Sequence, residues 1–258
     1  MKLVRFMVDQ SIKYGLVEEN LYRVVRFAVD DWCGFPLTKT DEMFNPAEVR
    51  LLAPCEPSKI ICLGLNYRRH AEEVKLDLPR KPIIFLKPST AVTAPDSPIL
   101  FPPQSKRVDY EAELGVVIGR RTYRVQKEKA LDQVFGYTCG NDVTARDKQP
   151  AHGQWTYAKS FDTFCPLGPV IETSISDPET LQLKGYLNGK LVQETSTADH
   201  LFSVAEIIEF VSGCMTLLPG DVILTGTPAG IGPMVPGDHF TVEIEGIGSL
   251  SNFVKKYE

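Results

Sequence analysis

The sequence has no apolar run of about 18 residues, which excludes a conventional transmembrane helix. Its first residues alternate like a strand and contain no signal-peptide core, so we expect a cytoplasmic protein that does not bind membranes. It also has no Cys-x-x-Cys pair. The six cysteines, at positions 33, 55, 62, 139, 165 and 214, are scattered, which predicts reduced thiols and disfavours a zinc site.

Basic residues are fewer than acidic ones, with 28 Lys and Arg against 33 Asp and Glu. The resulting net charge of -5 and pI near 5.5 disfavour nucleic acid or an anionic membrane as the main partner. At 258 residues, with 43% of them hydrophobic, the chain can form one large domain or a main domain with a small appendage.

Short strand patterns dominate the chain and predict a mainly β fold with some α (α+β). Alternating runs at 2–8 and 22–29 predict a small β-containing N-terminal unit over residues 1–52, and two prolines within 53–57 predict a linker to a main domain over 53–258. Ser203 and Glu206 form a capping-box pattern that predicts one clear helix over 203–214. Further strands are predicted at 59–63, 82–86, 114–118, 181–187, 221–224 and 240–244.

Two glutamates precede an apolar, β-branched run. Glu111 and Glu113 are two residues apart, so a strand would place both carboxylates on one face, where they repel each other. A divalent cation such as Mg²⁺ or Mn²⁺ would relieve that repulsion, because hard cations take oxygen ligands and keep positions open for water or substrate. The alternative is a solvated strand face that carries two ordinary glutamates.

A third acidic candidate follows the strand-like residues 134–139. Asp142 would lie where this strand meets a helix, and a helical turn would place Asp142, Arg146 and Gln149 on one side. The structural alternative is that Asp142 caps the helix and that Arg146 forms an i,i+4 ion pair with it.

His70 and Glu73 are three residues apart and would face the same way in a helical turn. A carboxylate that accepts from one imidazole nitrogen fixes the tautomer, so the other nitrogen can take a proton from water. The alternative is a surface pair on a charged helix. The segment 68–81 is rich in charge and has few apolar anchors, so we expect a lid that is mobile without ligand.

Two segments nearer the C-terminus complete the candidate set. Lys159 precedes Phe161 and Asp162, and the run from Thr225 to Pro228 follows an apolar strand. A tight turn there would expose backbone N–H groups and hydroxyls that could bind a carboxylate, although it could equally be a plain turn. The Gly-Lys-Ser/Thr ending of a P-loop is missing.

Six motifs occur in a fixed order, and together they resemble the fumarylacetoacetate hydrolase family from about residue 59 to the C-terminus. Each motif is weak alone, but six in sequence are specific. They are Gly64-x-Asn66-Tyr67 with His70, the run 85–90, Asp109-x-Glu111-x-Glu113-Leu114, the run 141–147, Lys159-x-Phe161-Asp162, and Thr225-Gly226-Thr227-Pro228-x-Gly230.

The resemblance implies a role for each candidate residue. Mg²⁺ or Mn²⁺ would be bound by Glu111, Glu113 and Asp142, and the lid would carry His70 and Glu73. The family's active-site lysine corresponds to Lys159, and its contacts to the substrate carboxylate correspond to Arg146, Gln149 and Thr227. The resemblance also implies a rolled mixed β-sheet core and a homodimer. Residues 1–52 look like the short leader unit of bacterial members.

The resemblance further implies a small-molecule substrate of the 2-oxo or 2,4-dioxo acid class and a metal-stabilised enolate. Our first expectation is hydrolytic C–C cleavage of an acylpyruvate-type substrate, with water activated by the His70–Glu73 pair. Isomerisation of 2-hydroxyhepta-2,4-diene-1,7-dioate, and tautomerisation or decarboxylation of oxaloacetate, are alternatives that use the same half-reaction. A non-catalytic, metal-dependent carboxylate-binding module would have no use for His70, Glu73 and Lys159 together, and a purely structural cation site would not need Arg146 and Gln149.

Overall fold

The computed structural model describes residues 1–26, 37–150 and 153–257, and it confirms a mainly β fold. The first ten strands are β1 (Lys2–Val8), β2 (Ser11–Glu18), β3 (Leu21–Arg26), β4 (Thr38–Phe44), β5 (Arg50–Leu52), β6 (Ile60–Gly64), β7 (Ile83–Lys87), β8 (Val92–Thr93), β9 (Pro98–Phe101) and β10 (Val108–Tyr110). The others are β11 (Ala112–Ile118), β12 (Val134–Asn141), β13 (Thr144–Ala145), β14 (Cys165–Glu172), β15 (Gln182–Leu187), β16 (Lys190–Ser196), β17 (Val222–Leu224), β18 (Gly232–Met234), β19 (His239–Ile244) and β20 (Gly248–Lys256). The α-helices are α1 (Arg68–Glu73), α2 (Thr156–Lys159) and α3 (Val204–Cys214).

The largest sheet has twelve strands and is mixed. Its main path runs β4-β3-β2-β1-β14-β12-β11-β17-β6-β7, with β5 paired to β1 and β8 paired to β14. Strands β17 and β6 are parallel, whereas β11 is antiparallel to both β12 and β17. A five-stranded sheet (β16-β15-β19-β20-β9) and a three-stranded sheet (β13-β10-β18) complete the fold. These mixed sheets agree with the core that the family resemblance implied.

The N-terminal strands belong to the main sheet. Strand β1 pairs with β14 through Lys2↔Glu172 and Leu3↔Ile171, so the five strands described within residues 1–52 continue the sheet of the main body. They form a β-containing unit, as predicted, while the division of the chain at residue 52 stays a prediction. The predicted run 22–29 begins within β3, and its last three positions lie outside the described residues.

The predicted strands agree with the observed ones to within two residues at each end, except where the run 22–29 leaves the described residues. Helix α3 begins where expected, because the Ser203 side chain accepts from the Glu206 N–H and the Glu206 carboxylate accepts from the Ser203 N–H. The five described cysteines are free thiols. Within residues 1–26, 37–150 and 153–257, no helix is long and apolar enough to cross a membrane.

The central strands are buried on both faces. Every residue of β6 and of β11 is buried, which explains why both segments read as continuous apolar runs rather than as alternating patterns. Polar side chains at the ends of these strands therefore lie beside the core, and the candidate site is located there.

Candidate active site

Three carboxylates meet at the adjoining ends of β11 and β12. Glu111 lies between β10 and β11, Glu113 lies within β11, and Asp142 directly follows β12. Because the register pairs Ala112 with Asn141, one ligand oxygen of each acid lies within 4.8 Å of the others. The three residues are 4%, 1% and 1% exposed, so the alternative of a solvated strand face is wrong for the two glutamates.

Lysines neutralise part of this buried charge. The Lys159 Nζ atom lies 2.7 Å from Glu111 Oε2 and 2.6 Å from Asp142 Oδ2. On the other side of Asp142, Lys87 Nζ lies 2.5 Å from Oδ1 and also donates to the Val143 carbonyl. Burial alone would lower the pKa of Lys159, but Asp142 and Glu111 raise it above its usual value. Lys87 belongs to one of the six motifs, yet the sequence indicated no role for it. The one feature of the sequence that could have indicated a role for Lys87 is its position at the end of an apolar strand.

Arg146 is held by three partners. Its guanidinium donates to Asp109 Oδ2 at 2.8 Å, to Glu111 and to the side-chain oxygen of Gln149. The predicted helix after Asp142 is wrong, and so is the structural alternative of an ion pair between Asp142 and Arg146, because Arg146 pairs with Asp109 and Glu111. Residues 144–145 instead form β13, which pairs with β10 and brings the following 3₁₀ turn, 146–148, beside Asp109. Described residues accept from three of the five guanidinium N–H groups, which leaves two that no described residue uses.

Glu113 differs from its two neighbours in its partners. Among the described residues no ammonium or guanidinium group forms an ion pair with it, and its Oε2 accepts from the Gly226 N–H at 2.8 Å. Burial and the neighbouring charges of Asp142 and Glu111 raise the pKa of Glu113 well above its usual value. For Glu111, burial alone would raise the pKa, but Lys159 and Arg146 lower it.

The donor set fits a divalent cation. Four buried carboxylates, those of Glu111 and Glu113 together with the two aspartates Asp109 and Asp142, are matched by four cations, so that the formal charges balance. Three of these cations are largely buried, Lys87, Arg146 and Lys159, and the fourth, Arg107, is half-exposed and binds Asp109. A divalent cation would supply the countercharge that Glu113 lacks. The net positive charge of the cluster would then suit an anionic substrate.

His70 and Glu73 form the predicted pair on α1. The His70 Nδ1 atom lies 3.1 Å from Glu73 Oε2, and Glu73 Oε1 accepts from the Gly230 N–H at 3.0 Å. Burial alone would raise the pKa of Glu73, but the hydrogen bonds from His70 and Gly230 lower it. Because His70 is buried and lines the same cavity as the carboxylates, the alternative of a surface pair is wrong.

The Thr225–Pro228 turn is occupied by the protein itself. Its Gly226 N–H binds the Glu113 carboxylate, and the Thr227 hydroxyl donates to the Ala112 carbonyl at 3.0 Å. Gln193 was not a candidate in the sequence, because a single glutamine forms no recognisable motif. The structure shows that its side chain is buried. Its Oε1 accepts from the Ala112 N–H at 3.0 Å, and its Nε2 donates to Thr227 Oγ1 and to the Pro228 carbonyl, both at 2.9 Å.

A cavity of about 160 Å³ joins these groups. Seven of the nine predicted site residues line it, and the other two, Asp142 and Glu73, pair with the lining residues Lys159 and His70. The polar lining residues are His70, Glu111, Glu113, Arg146, Gln149, Lys159 and Thr227. The other lining residues are Leu63, Gly64, Leu65, Val74, Leu76, Phe85, Pro150 and Trp155.

Comparison with known proteins identifies the family. Residues 59–255 match the family model described as the fumarylacetoacetate (FAA) hydrolase C-terminal domain, and residues 1–54 match the Rv2993c-like N-terminal model. The chain is 52% identical over 246 residues to protein MJ1656 of Methanocaldococcus jannaschii, which covers 95% of this chain and 96% of that one. It is 42% identical over 228 residues to the mitochondrial oxaloacetate tautomerase fahd2 of Xenopus laevis, which covers 84% of this chain and 72% of that one.

Solved structures of two enzymes have the same fold as this chain. The 5-carboxymethyl-2-hydroxymuconate delta-isomerase of Mycobacterium smegmatis superposes with a TM-score of 0.91 at 40% identity, with both chains fully covered. Maleylpyruvate hydrolase of Sphingobium sp. SYK-6, solved with manganese(II) and pyruvate, superposes with a TM-score of 0.83 at 31% identity, again with both chains fully covered. This chain belongs to the fumarylacetoacetate hydrolase family, whose named members here include a hydrolase, an isomerase and a tautomerase.

Proposed function

We propose that this protein is a divalent-metal-dependent enzyme that acts on 2-oxo acids, and that its complete reaction is hydrolytic cleavage of a short acylpyruvate. The observation that carries the proposal is the buried group Glu111, Glu113 and Asp142, which faces a histidine–carboxylate pair across one small cavity. The manganese(II) and pyruvate bound by the maleylpyruvate hydrolase relative support it.

The carboxylate group supplies the metal site. When bound there, Mg²⁺ or Mn²⁺ would act as a Lewis acid that stabilises negative charge on the 2-oxo oxygen of the substrate. Lys159 and Lys87 hold Asp142 from its two oxygens, and Lys159 also holds Glu111, so they fix the directions of these ligands. Arg146 lines the cavity and uses three of its five N–H groups on described residues, so we assign it, with Gln149, to the substrate carboxylate. Thr227, which the resemblance also implied for this role, lines the cavity, but its hydroxyl proton is donated to the Ala112 carbonyl.

The lid pair would activate water. The Glu73 carboxylate fixes His70 through Nδ1, so Nε2 can take a proton from a water molecule. That water adds to the 4-oxo carbon, the bond between C3 and C4 breaks, and its electron pair passes to the pyruvyl half. A proton then returns to C3, and the products are one carboxylic acid and pyruvate.

Tautomerisation of oxaloacetate is a second candidate, favoured by the size of the cavity. At about 160 Å³ it is smaller than the roughly 300–1,000 Å³ of usual ligand pockets, and a four-carbon acid suits it. The fahd2 relative bears this activity in its name. The reaction moves one proton between C3 and the 2-oxo oxygen, so it requires no nucleophilic water.

One experiment separates the two candidates. Wild-type protein and His70→Ala are assayed with saturating Mg²⁺ or Mn²⁺, measuring pyruvate release from acetylpyruvate and loss of the enol absorbance of oxaloacetate. We expect metal-dependent cleavage of acetylpyruvate by the wild type, and a loss of about 100-fold or more in His70→Ala, the usual contribution of a general base. Tautomerisation without acetylpyruvate cleavage would support the second candidate, and inactivity on both would refute the proposal.

We also propose that the protein is a homodimer, as the family resemblance implies. Size-exclusion chromatography with light scattering tests this directly, because a dimer has twice the mass of the 28.7 kDa chain.

A further inference from the structure

The cavity has two chemically different sides. Its charged side is formed by the carboxylates, Arg146 and Lys159, and Lys159 Nζ lies 5.0 Å from the ring centroid of Phe85. Its apolar wall consists of Leu63, Leu65, Val74, Leu76, Pro150 and Trp155, and three of these, Leu65, Leu76 and Trp155, also line an adjoining cavity that none of the charged groups of the site lines. We propose that this wall is a subsite for an uncharged, apolar acyl group, so that the enzyme selects 2-oxo acids with one carboxylate and rejects those with a second carboxylate at the far end. This inference rests on the proposed function.

The positive charges of the cavity are already committed at its charged side. Lys159 pairs with Glu111 and Asp142, and Arg146 pairs with Asp109 and Glu111. Among the described lining residues, the lysine and arginine side chains are those of Lys159 and Arg146, and the one beside Phe85, Lys159, is already paired with two acids. A second substrate carboxylate placed against the apolar wall would lose its hydration without gaining a partner, which is costly in an apolar environment.

Trp155 is fixed in this wall by close packing. Its ring lies edge-on to Phe85 with 5.3 Å between centroids, and its Nε1 donates to the Pro150 carbonyl. The ring also lies against the backbone of Gly64, where a Cβ atom would come within 2.6 Å of it. A glycine at position 64 therefore allows the indole to cover the end of β6 and to form part of the wall.

The apolar wall borders a second, larger cavity. A second cavity of about 510 Å³ adjoins the first, and Leu65, Leu76 and Trp155 line both. Lys75 and Asp77 also line this outer cavity, so its one described lysine lies two residues from an acid. Beyond the three shared residues, the outer cavity is therefore lined by a cation and an acid that do not line the inner one.

Two ligands of equal shape test the charge preference. 2-Oxoglutarate ends in a carboxylate, and 5-methyl-2-oxohexanoate has an isopropyl group in the same place. Titration calorimetry with the Mg²⁺-saturated protein compares both ligands with pyruvate, which has no tail. We expect 5-methyl-2-oxohexanoate to bind at least about tenfold more tightly than 2-oxoglutarate, because only its tail can be buried without an unpaired charge.

A matched pair of variants tests the location. Leu76→Arg places a cation in the wall, whereas Leu78→Arg places one on the same lid segment at a position that does not line the cavity. We expect Leu76→Arg to lower the ratio of the affinity for 5-methyl-2-oxohexanoate to that for 2-oxoglutarate at least about tenfold. Leu78→Arg should leave this ratio unchanged.

The outcomes separate this inference from the proposed function. Metal-dependent binding of pyruvate, with 2-oxoglutarate bound as tightly as 5-methyl-2-oxohexanoate or more so, would overturn the apolar subsite and leave the proposed function standing. An unchanged ratio in Leu76→Arg would also overturn it. Failure of all three ligands to bind would refute the 2-oxo acid site itself, and the subsite with it.

Discussion

Gln193 connects three parts of the candidate site, and its replacement should reveal how the metal ligands are held. Gln193→Met keeps an unbranched side chain of similar size but removes every hydrogen bond that the amide makes. The Ala112 N–H and the Pro228 carbonyl would then be buried without these partners. At about 1–3 kcal/mol for each unsatisfied group, the free energy of unfolding should fall by about 2–6 kcal/mol. That is a large share of the free energy of unfolding of a typical protein, which is about 5–15 kcal/mol.

The functional effect follows from the position of Ala112 between Glu111 and Glu113. Without Gln193, the backbone that directs both carboxylates loses its anchor, and the Thr227 hydroxyl loses a donor. Residues that orient metal ligands through hydrogen bonds usually change metal affinity by about 10–100-fold. We therefore expect the Mn²⁺ dissociation constant of Gln193→Met to rise by about that factor in titration calorimetry.

A control variant separates affinity from stability. Asn252 is also a buried amide, and it donates to the carbonyls of Ala94 and Ser97 at 2.8 and 2.9 Å. Asn252→Leu should be destabilised by a similar amount while binding Mn²⁺ like the wild type. Equal loss of affinity in both variants would refute a specific role of Gln193, and unchanged affinity in Gln193→Met would refute the reasoning outright.

Two further predictions concern Arg146 and Glu206. Arg146→Lys loses the planar, bidentate geometry of the guanidinium, so KM for acetylpyruvate should rise about tenfold or more while the fold persists; a wild-type KM would show that Arg146 only pairs with its acidic neighbours. The hydrogen bond from Lys127 and those from Ser203 lower the pKa of Glu206 to about 2. Because this pKa is below its ordinary value of 4.5, the stabilisation is present above about pH 4.5 and is lost as pH falls toward 2. Thermal unfolding of Glu206→Gln should therefore show a loss of about 1 kcal/mol at pH 7 that disappears near pH 2, and a loss independent of pH would contradict it.

Local patterns were sufficient to predict nine of the twenty described strands and helix α3. The alternation in β1 and the capping box at Ser203 and Glu206 are properties of neighbouring residues, so they are visible in the sequence. The spacing of His70 and Glu73 likewise gave their contact on α1, because residues three apart face the same way in a helix.

Contacts between distant residues could not be predicted in this way. Lys87 meets Asp142 across 55 positions, and Gln193 meets Ala112 across 81, so only the folded sheets bring them together. The ion pair considered between Arg146 and Asp142 was wrong for the same reason. The spacing of the two residues suits a helix, but pairing of β13 with β10 extends the backbone and directs the guanidinium to Asp109. The roles of the site residues stay predictions until they are measured.

The central claim is that Glu111, Glu113 and Asp142 hold one divalent cation. Titration calorimetry with Mn²⁺ on the wild type and on Glu113→Gln tests it most directly, with Glu243→Gln on an exposed position of β19 as the matched control. The account predicts one Mn²⁺ per wild-type chain, an affinity weakened at least about tenfold in Glu113→Gln because a neutral amide replaces a charged ligand, and no change in Glu243→Gln. Equal stoichiometry and equal affinity in all three proteins would contradict it.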